Sequence, residues 1–427
     1  MRLRPHRLPD DVMARLAAGG GGAEAARHLA VAERSKHRLL VLGVVQMAVN
    51  AGHVHSTATD RAFDLLAEIE KKRPEAVRDT LDYPAVGAWA GHTVVALPSG
   101  ESCSPAQLGA VAAVAAIKAG LPCTTKVPVL DGVITLPSLG QLVLPTGSVA
   151  GDLIDLRVRG DGVVEAAGVR VRVGTEEHPG WRPLRRLATA DASLTLMVDD
   201  LDPFRWTSET VIEGRLSVTE LGQWRSCLDA AWRMLREHHW SIADEILAIV
   251  PVLTPIQRPR QGMNSASAAD RFGAIALSTP LDGRWLASTF AHEIQHVKLG
   301  ATMDVVRLVE PDDSRYYAPW RPDPRPLSGL LQGAYAYLGV AGFWRRQRAH
   351  ETDLRPHIEF AHWRESTFAV TSTLLDSGRL SPEGERFVCG MRRTLSAWQD
   401  EPAPPAALDA ARQEAQAHLE EWLARNG

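Results

Sequence analysis

Apolar residues recur at helical spacing over most of this chain, and they alternate with polar residues only in its middle. The helical pattern covers residues 10–80, 104–119 and most of the sequence after residue 219. Between residues 124 and 173, short apolar runs lie beside Asp-Gly and glycine-rich turns, which is typical of strands and hairpins. A further strand is predicted at 194–198. The pattern predicts an α+β fold that is mainly helical, with a strand-rich middle segment.

The second half of the chain is predicted to be mostly helix. Trp224 and Trp232 lie eight residues apart and share one face of a predicted helix. Residues 312–326 contain four prolines, which exclude a helix, so an ordered loop is expected there. Further helices are predicted over residues 242–250, 327–348, 358–375, 382–398 and 406–426.

The acidic stretch 199–204, Asp-Asp-Leu-Asp-Pro-Phe, divides the two kinds of pattern. It lacks the spacing and the distant glutamate of a calcium-binding loop, so a solvated turn is predicted. We predict two regions: a mixed helical and β region over 1–205, and a mainly helical, metal-binding region over 206–427.

Composition narrows the functional classes. The 427 residues are 45% hydrophobic, enough for a large core, and the net charge of −4 gives no electrostatic case for nucleic-acid binding. Four cysteines without a C-x-x-C pair are typical of reduced thiols in the cytoplasm. The N-terminus has no apolar signal segment, and the longest apolar stretch, 39–51, is too short to span a bilayer. We therefore expect a cytoplasmic protein with no membrane partner.

The most specific chemistry lies at residues 291–297, Ala-His-Glu-Ile-Gln-His-Val. Because residues four apart share a helix face, His292 and His296 can bind one metal ion. Glu293 lies about a third of a turn from His292, where it can reach a metal-bound water or orient a ligand. A predicted strand at 271–278 precedes this helix. A strand followed by a motif helix resembles the arrangement in zincin-type metalloenzymes.

A site of this kind needs a third protein ligand, and the patterns of the common protease clans do not provide one. Thr302 stands where metzincins have a third histidine, and the downstream glutamate motif of gluzincins is missing. Gln332, a polar residue inside an apolar helix, is one candidate, with a hydrogen bond to backbone as the alternative. The other candidates are the downstream histidines His350, His357 and His362.

The loop after the metal helix is rich in aromatic and basic residues. One interpretation is a packed loop whose arginines pair with Asp312, Asp313 or Asp323. The other is an anion site beside the metal, because arginine binds carboxylates with two parallel hydrogen bonds. Spacing alone leaves both open. The residues concerned are Tyr316, Tyr317, Trp320, Arg321 and Arg325.

Stretches over much of the chain resemble one family, the bacterial HExxH-motif domain family of gene clusters for ribosomally made, modified peptides. Members of that family include α-ketoglutarate-dependent peptide β-hydroxylases. The matching stretches are 83–90 (Tyr-Pro-Ala-Val-Gly-Ala-Trp-Ala), 199–205 (Asp-Asp-Leu-Asp-Pro-Phe-Arg), 224, 231–232, 272–274 (Phe-Gly-Ala), 292–299, 316–320 (Tyr-Tyr-Ala-Pro-Trp), 325–335 (Arg-Pro-Leu-Ser-Gly-Leu-Leu-Gln-Gly-Ala-Tyr) and 363–364.

The resemblance implies Fe(II) and 2-oxoglutarate as cofactors, with the two motif histidines and one further residue as ligands. It also implies a cation for the distal carboxylate of the oxoacid. Arg325 and Arg321 are the candidates for that cation, and Tyr317 of the same loop is a further cofactor-binding candidate. Lys298 is not favoured, because it points about 120° away from His292 around the helix. Glu293 is implied as a base, an orienting residue or a ligand.

The expected function is hydroxylation of a β-carbon in a ribosomally made precursor peptide. The strand within 272–278 is a candidate for aligning an extended peptide by backbone pairing. The expected partners are that peptide and other peptide-modifying enzymes of the same pathway. Two alternatives stay open: a zinc metallopeptidase in which Glu293 activates a zinc-bound water, and a non-catalytic peptide-binding partner.

Overall fold

The structure, a computed structural model, describes residues 5–147, 151–207, 210–260 and 262–426. It is a mixed α and β chain in which helix predominates, as predicted. The helices are α1 (Asp10–Ala17), α2 (Gly22–Asn50), α3 (Ser56–Lys72), α4 (Pro74–Leu81), α5 (Pro84–Ser99), α6 (Leu108–Ala119), α7 (Val218–His238), α8 (Trp240–Ile249), α9 (Gly283–Val305), α10 (Leu327–Gln347), α11 (Arg355–Asp376), α12 (Pro382–Gln399) and α13 (Pro405–Asn426). Among the described residues, none of these helices combines the length and the apolar character needed to cross a membrane.

The strands form three sheets. They are β1 (Cys123–Pro128), β2 (Val133–Leu136), β3 (Gly140–Val143), β4 (Leu153–Val158), β5 (Val163–Ala166), β6 (Val169–Arg172), β7 (Trp181–Pro183), β8 (Arg185–Ala188), β9 (Thr195–Val198), β10 (Val252–Pro255), β11 (Ser265–Ala266) and β12 (Ala274–Leu277). The sheet orders are β1-β4-β5-β6, β2-β3-β7 and β11-β12-β10-β9-β8. The first two sheets are antiparallel and confirm the predicted strand-rich segment.

One hydrophobic core joins the two antiparallel sheets to the N-terminal helices. Helix α6 lies at its centre, and its residues from Leu108 to Ala116 are all buried. Two large indoles, Trp89 of α5 and Trp181 of β7, complete this core with at most 1% of their surface exposed. Helix α6 ends at Gly120, which adopts the left-handed conformation that favours glycine.

The five-stranded sheet contains strands from both predicted regions. Strand β9, which precedes residue 205, pairs in parallel with β10, which follows it. Strand β12 pairs in parallel with β10 on one side and antiparallel with β11 on the other. The two predicted regions therefore share one sheet, and a second core of buried side chains fills the space between this sheet, α7, α8 and α9.

The acidic stretch 199–204 is not the solvated turn that the sequence predicts. Asp199, Asp200 and Asp202 are all buried, with 4% or less of their surface exposed. Asp199 accepts hydrogen bonds from the Tyr83 hydroxyl and the backbone N–H of Asp202, whereas Asp200 pairs with Arg185 and Arg215. The prediction was wrong because these partners come from distant parts of the chain, and together they compensate for burying the carboxylates.

Candidate functional site

Helix α9 carries the motif, and its sequence explains where it begins. The Asp282 side chain caps the helix by accepting a hydrogen bond from the Trp285 N–H at 2.7 Å. Strand β12 ends five residues earlier at Leu277, so a strand precedes this helix in the chain. Phe290 and Ile294 are fully buried and fix one face of α9 against the core, while His292 and His296 on another face are partly exposed.

The two motif histidines converge through the same ring nitrogen. Nε2 of His292 and Nε2 of His296 lie 3.1 Å apart. Burial, with a smaller contribution from His296, lowers the pKa of His292 to about 3, so this imidazole is neutral at ordinary pH and keeps a free lone pair. Two nitrogen lone pairs facing each other at this distance repel unless a proton or a cation lies between them.

Gln332 of α10 contacts His296 from the opposite side of the ring. Its Oε1 lies 3.1 Å from His296 Nδ1, and its amide nitrogen faces the Met303 sulfur. Because an amide oxygen only accepts, Nδ1 carries the proton and the lone pair of His296 is on Nε2. An ion bound by both Nε2 atoms lies across the imidazole from Gln332. Gln332 thus contacts a motif histidine, as an orienting residue would. Its role as the third ligand stays a prediction.

The Glu293 carboxylate is buried and held by two serines. It is 1% exposed, and its two carboxylate oxygens accept hydrogen bonds from Ser265 Oγ at 2.7 Å and Ser267 Oγ at 2.9 Å. Both serines belong to β11 or directly follow it, so this carboxylate ties the metal helix to the edge strand. The sequence analysis did not single out either serine, because no local pattern links them to the motif.

An aromatic stack covers one side of His292. The Tyr337 ring contacts His292 edge to face with 5.1 Å between centroids, and it lies between Trp320 at 4.9 Å and Trp363 at 4.0 Å. Trp320 fits against α10 because residue 333 is glycine: a Cβ there would lie 2.3 Å from the indole nitrogen. Trp320 was noted in the sequence only as a loop aromatic, and Tyr337 was not noted at all.

The two arginines proposed for the cofactor both pair with Asp323. Arg321 lies 2.9 Å and Arg325 3.1 Å from its carboxylate, and each arginine is at least one-third exposed. Arg325 also packs over Gly329, one helical turn before Gln332. The pairing with Asp323 is one of the two alternatives left open by the sequence, and the arginines lie on the same loop as Trp320.

The four remaining candidate residues of the sequence, Tyr317, His350, His357 and His362, are described by the residues that they contact. The Tyr317 hydroxyl is hydrogen-bonded to His418 Nδ1 of α13 at 2.9 Å, and its contact with a cofactor stays a prediction. His350 stacks on His238, with 3.6 Å between centroids. His362 faces the Ala411 carbonyl, and His357 lies in the first turn of α11. The sequence could not predict these partners, which belong to other helices.

The separation of the two Nε2 atoms is suitable for two ligands of one metal ion. Two ligands each about 2.1 Å from one ion lie about 3.0–3.4 Å apart for bond angles between octahedral and tetrahedral, which includes the observed separation. Across the described part of the chain, however, no group of three or more His, Cys, Asp or Glu side chains is arranged to hold an ion. His292 and His296 are the two candidate ligands that lie together, and the identity of a third ligand stays a prediction.

Comparison with known proteins adds no assignment to this geometry. No protein-family model matches the chain, and no curated protein matches it either.

Proposed function

We propose that this protein is an Fe(II)- and 2-oxoglutarate-dependent oxygenase that hydroxylates a β-carbon in a ribosomally made precursor peptide. The observation that carries the proposal is the convergence of His292 Nε2 and His296 Nε2, with Gln332 holding the His296 proton on the other nitrogen. The resemblance of the sequence to HExxH-type peptide β-hydroxylases provides the reaction class. Strand β12 before α9 supports a zincin-like placement of the motif.

Two histidines and one further ligand suit this chemistry because they leave coordination positions free for the oxoacid and O₂. A ferrous ion held there would bind the oxoacid and activate O₂. The protein's part is to hold the imidazoles in place: burial lowers the pKa of His292 and keeps it neutral, and Gln332 orients the ring of His296. Trp320, Tyr337 and Trp363 would exclude water from the His292 side of the site.

The oxoacid needs a cation for its distal carboxylate, and Arg325 is the best placed residue. Its guanidinium lies over Gly329, one turn from the residue that contacts His296. The present partner of Arg325, Asp323, is a surface carboxylate that is 44% exposed. A cofactor carboxylate can share or replace this exposed pairing at little cost, since surface ion pairs contribute only about 0–1 kcal/mol. Arg321 is the second candidate.

The peptide would pair with β11 and not with the strand expected from the sequence. Strand β12 is bonded on both sides, to β10 and to β11, so its backbone has no free edge. Strand β11 is at the end of the sheet order, and Ser265 ties it to Glu293 of the metal helix. An extended peptide added to β11 would lie beside α9.

A zinc peptidase is the second candidate, because the HExxH motif is typical of that class. In a peptidase Glu293 would have to reach a metal-bound water within about 2.6–3.2 Å. Here both of its carboxylate oxygens are engaged by Ser265 and Ser267. This arrangement favours a structural role for Glu293 and places the peptidase below the oxygenase.

Anaerobic loading of the full-length protein with Fe(II), followed by 2-oxoglutarate and then O₂, tests the proposal. The expected results are a visible charge-transfer band before O₂ and formation of succinate after it, with one oxygen atom added to an accepted peptide. His292→Ala and His296→Ala should abolish both results, whereas the matched control His350→Ala, outside the site, should retain them. Peptide cleavage by the zinc-loaded protein without 2-oxoglutarate would instead establish the peptidase.

A further inference from the structure

The loop 312–326 carries three of the candidate site residues, namely Trp320, Arg321 and Arg325. Local contacts give the loop its shape: Tyr316 and Arg325 exchange two backbone hydrogen bonds at 2.8 and 2.9 Å. The Tyr316 hydroxyl also donates to Asp312 at 2.7 Å. These contacts join the loop to itself, so they do not determine where it lies over α10.

The C-terminal helix α13 contacts the loop as well, in addition to the packing of Trp320 on α10. The Tyr317 hydroxyl is hydrogen-bonded to His418 Nδ1, and the Tyr317 ring meets Trp422 edge to face at 5.2 Å. The Asn426 side chain donates to the Pro322 carbonyl at 2.9 Å. Residues 418, 422 and 426 are spaced by four, so they form one continuous face of α13. That face meets the loop on both sides of Trp320.

The rest of α13 is fastened to a different helix. Its buried residues, Ala407 and Ala411, are in its first half, where it packs on α11. Glu414 adds an ion pair with Arg355 of α11 at 2.6 Å. Beyond Glu414 the helix is mostly exposed, as Leu423 with 52% exposure illustrates. The first half of α13 packs on α11, and its last residues contact the loop. A helix held in this way can fix the position of the loop.

We propose that the His418–Trp422–Asn426 face of α13 positions the loop 312–326 so that Arg325 and Trp320 lie beside the histidine pair. These α13 residues are positioning residues: they contact the loop and not the histidines. For the cofactor, the inference rests on the proposed function, since it assigns to α13 control of the affinity for 2-oxoglutarate. Loss of the contact lowers the fraction of molecules in which the arginines are in place, and the apparent affinity falls with that fraction.

Hydrogen exchange of the full-length protein without cofactors tests the placement directly. Tyr317→Phe removes one hydrogen bond and should lower the exchange protection of residues 312–326 about fivefold. Trp422→Ala removes the aromatic contact and should lower it about tenfold. Leu423→Ala, an exposed apolar residue next to Trp422, is the matched control and should leave the loop unchanged. If residues 312–326 keep wild-type exchange protection in both Tyr317→Phe and Trp422→Ala, the proposal is wrong, whatever reaction the protein catalyses.

Enzyme kinetics test whether α13 controls the affinity for 2-oxoglutarate. The double variant Trp422→Ala/Asn426→Ala, which changes only α13, should raise the KM for 2-oxoglutarate about threefold or more, with kcat at saturating cofactor and Fe(II) affinity both nearly unchanged. An active double variant with wild-type KM would show that α13 does not control cofactor affinity, and the proposal would be wrong. If the wild-type protein forms no succinate, the proposed function fails separately, and hydrogen exchange alone decides the placement.

Discussion

At the scale of single residues, the orientation of His296 is the detail on which the proposed metal binding depends. The Gln332 oxygen lies against Nδ1, so Nε2 would be free for an ion shared with His292. A residue that orients a ligand and a residue that is a ligand differ in what their removal costs. Loss of an orienting partner weakens metal binding about 10- to 100-fold, whereas loss of a ligand removes it.

We therefore expect Gln332→Leu to weaken Fe(II) binding about 10- to 100-fold, with binding still measurable. His296→Ala should leave no binding in the same titration. Gln332→Glu, which retains an oxygen acceptor for Nδ1–H, should bind the metal at least as well as the wild type. Complete loss of binding in Gln332→Leu would instead make Gln332 the third ligand.

Gly333 controls the aromatic side of the site. Alanine normally stabilises a helix relative to glycine by about 1 kcal/mol. At this position its Cβ would lie 2.3 Å from the Trp320 indole nitrogen, so Gly333→Ala should lower the free energy of unfolding by about 1–3 kcal/mol and displace Trp320. Urea unfolding and near-ultraviolet circular dichroism measure the two effects. Gly222→Ala on α7, with open space at its Cβ, is the control and should be neutral or stabilising.

The sequence was sufficient to predict the histidine pair but not what surrounds it. His292 and His296 are on one helix, so their spacing alone brings them together. Ser265, Trp320 and Tyr337 reach the site from a strand, a loop and another helix, and only the tertiary fold relates these elements to α9. Gln332 stands out in the sequence as a polar residue in an apolar helix. Its partner, His296, cannot be inferred there, because the two residues lie on different helices.

At the scale of elements, α9 is held from the side opposite to its histidines. Lys298 is fully buried and donates to Glu245 of α8 at 2.8 Å and to the Gly20 carbonyl at 3.2 Å. The other Glu245 oxygen accepts from the Gly22 N–H at 3.0 Å. This buried pair joins α9 to α8 and to the glycine-rich turn before α2.

Lys298→Met should lower the free energy of unfolding by about 3–5 kcal/mol, because it leaves the Glu245 carboxylate buried and without its counter-charge. Urea unfolding measures the loss. The double variant Lys298→Met/Glu245→Gln, in which no charge is left buried, should recover a large part of it. A double variant as unstable as the single one would show that the pair matters for packing and not for charge.

The helices with a marked apolar face were predicted to within a few residues, because their periodicity is visible locally. Helix α5 was missed. It is buried on nearly all sides, so its sequence has no polar face to reveal the helical period. The position of β12 inside its sheet was missed for another reason: strand order depends on pairing between β9, β10 and β12, which are far apart in sequence.

At the scale of the whole molecule, the buried acidic cluster at 199–202 joins the N-terminal helices to the five-stranded sheet. Asp199 follows β9 and accepts a hydrogen bond from Tyr83, the residue before α5. Burial raises the pKa of Asp199, and burial together with the Asp199 charge raises the pKa of Asp202 to about 7. Arg205 and Arg271 oppose these shifts without cancelling them.

This cluster makes stability depend on pH in a direction opposite to that of most carboxylates. Because the pKa of Asp202 is higher in the folded chain than in the unfolded chain, the unfolded chain loses its proton first as the pH rises. The contribution of Asp202 to stability is therefore complete below about pH 4 and is lost as the pH rises to about 7. Asp202→Asn removes the titration, and an asparagine oxygen can still accept the Phe204 N–H hydrogen bond.

The free energy of unfolding of Asp202→Asn, relative to wild type, should thus increase between about pH 4.5 and pH 7 by about 2 kcal/mol or more and then level off. Urea unfolding over this range measures the difference, in which the titration of all other groups cancels to first order. Asp155→Asn is the matched control, since Asp155 is 63% exposed and paired only with Lys126 at the surface, and its difference should stay nearly flat. A flat difference for Asp202→Asn as well would show that the acidic cluster is ionised throughout this range, stabilised by Arg205 and Arg271 more strongly than burial destabilises it.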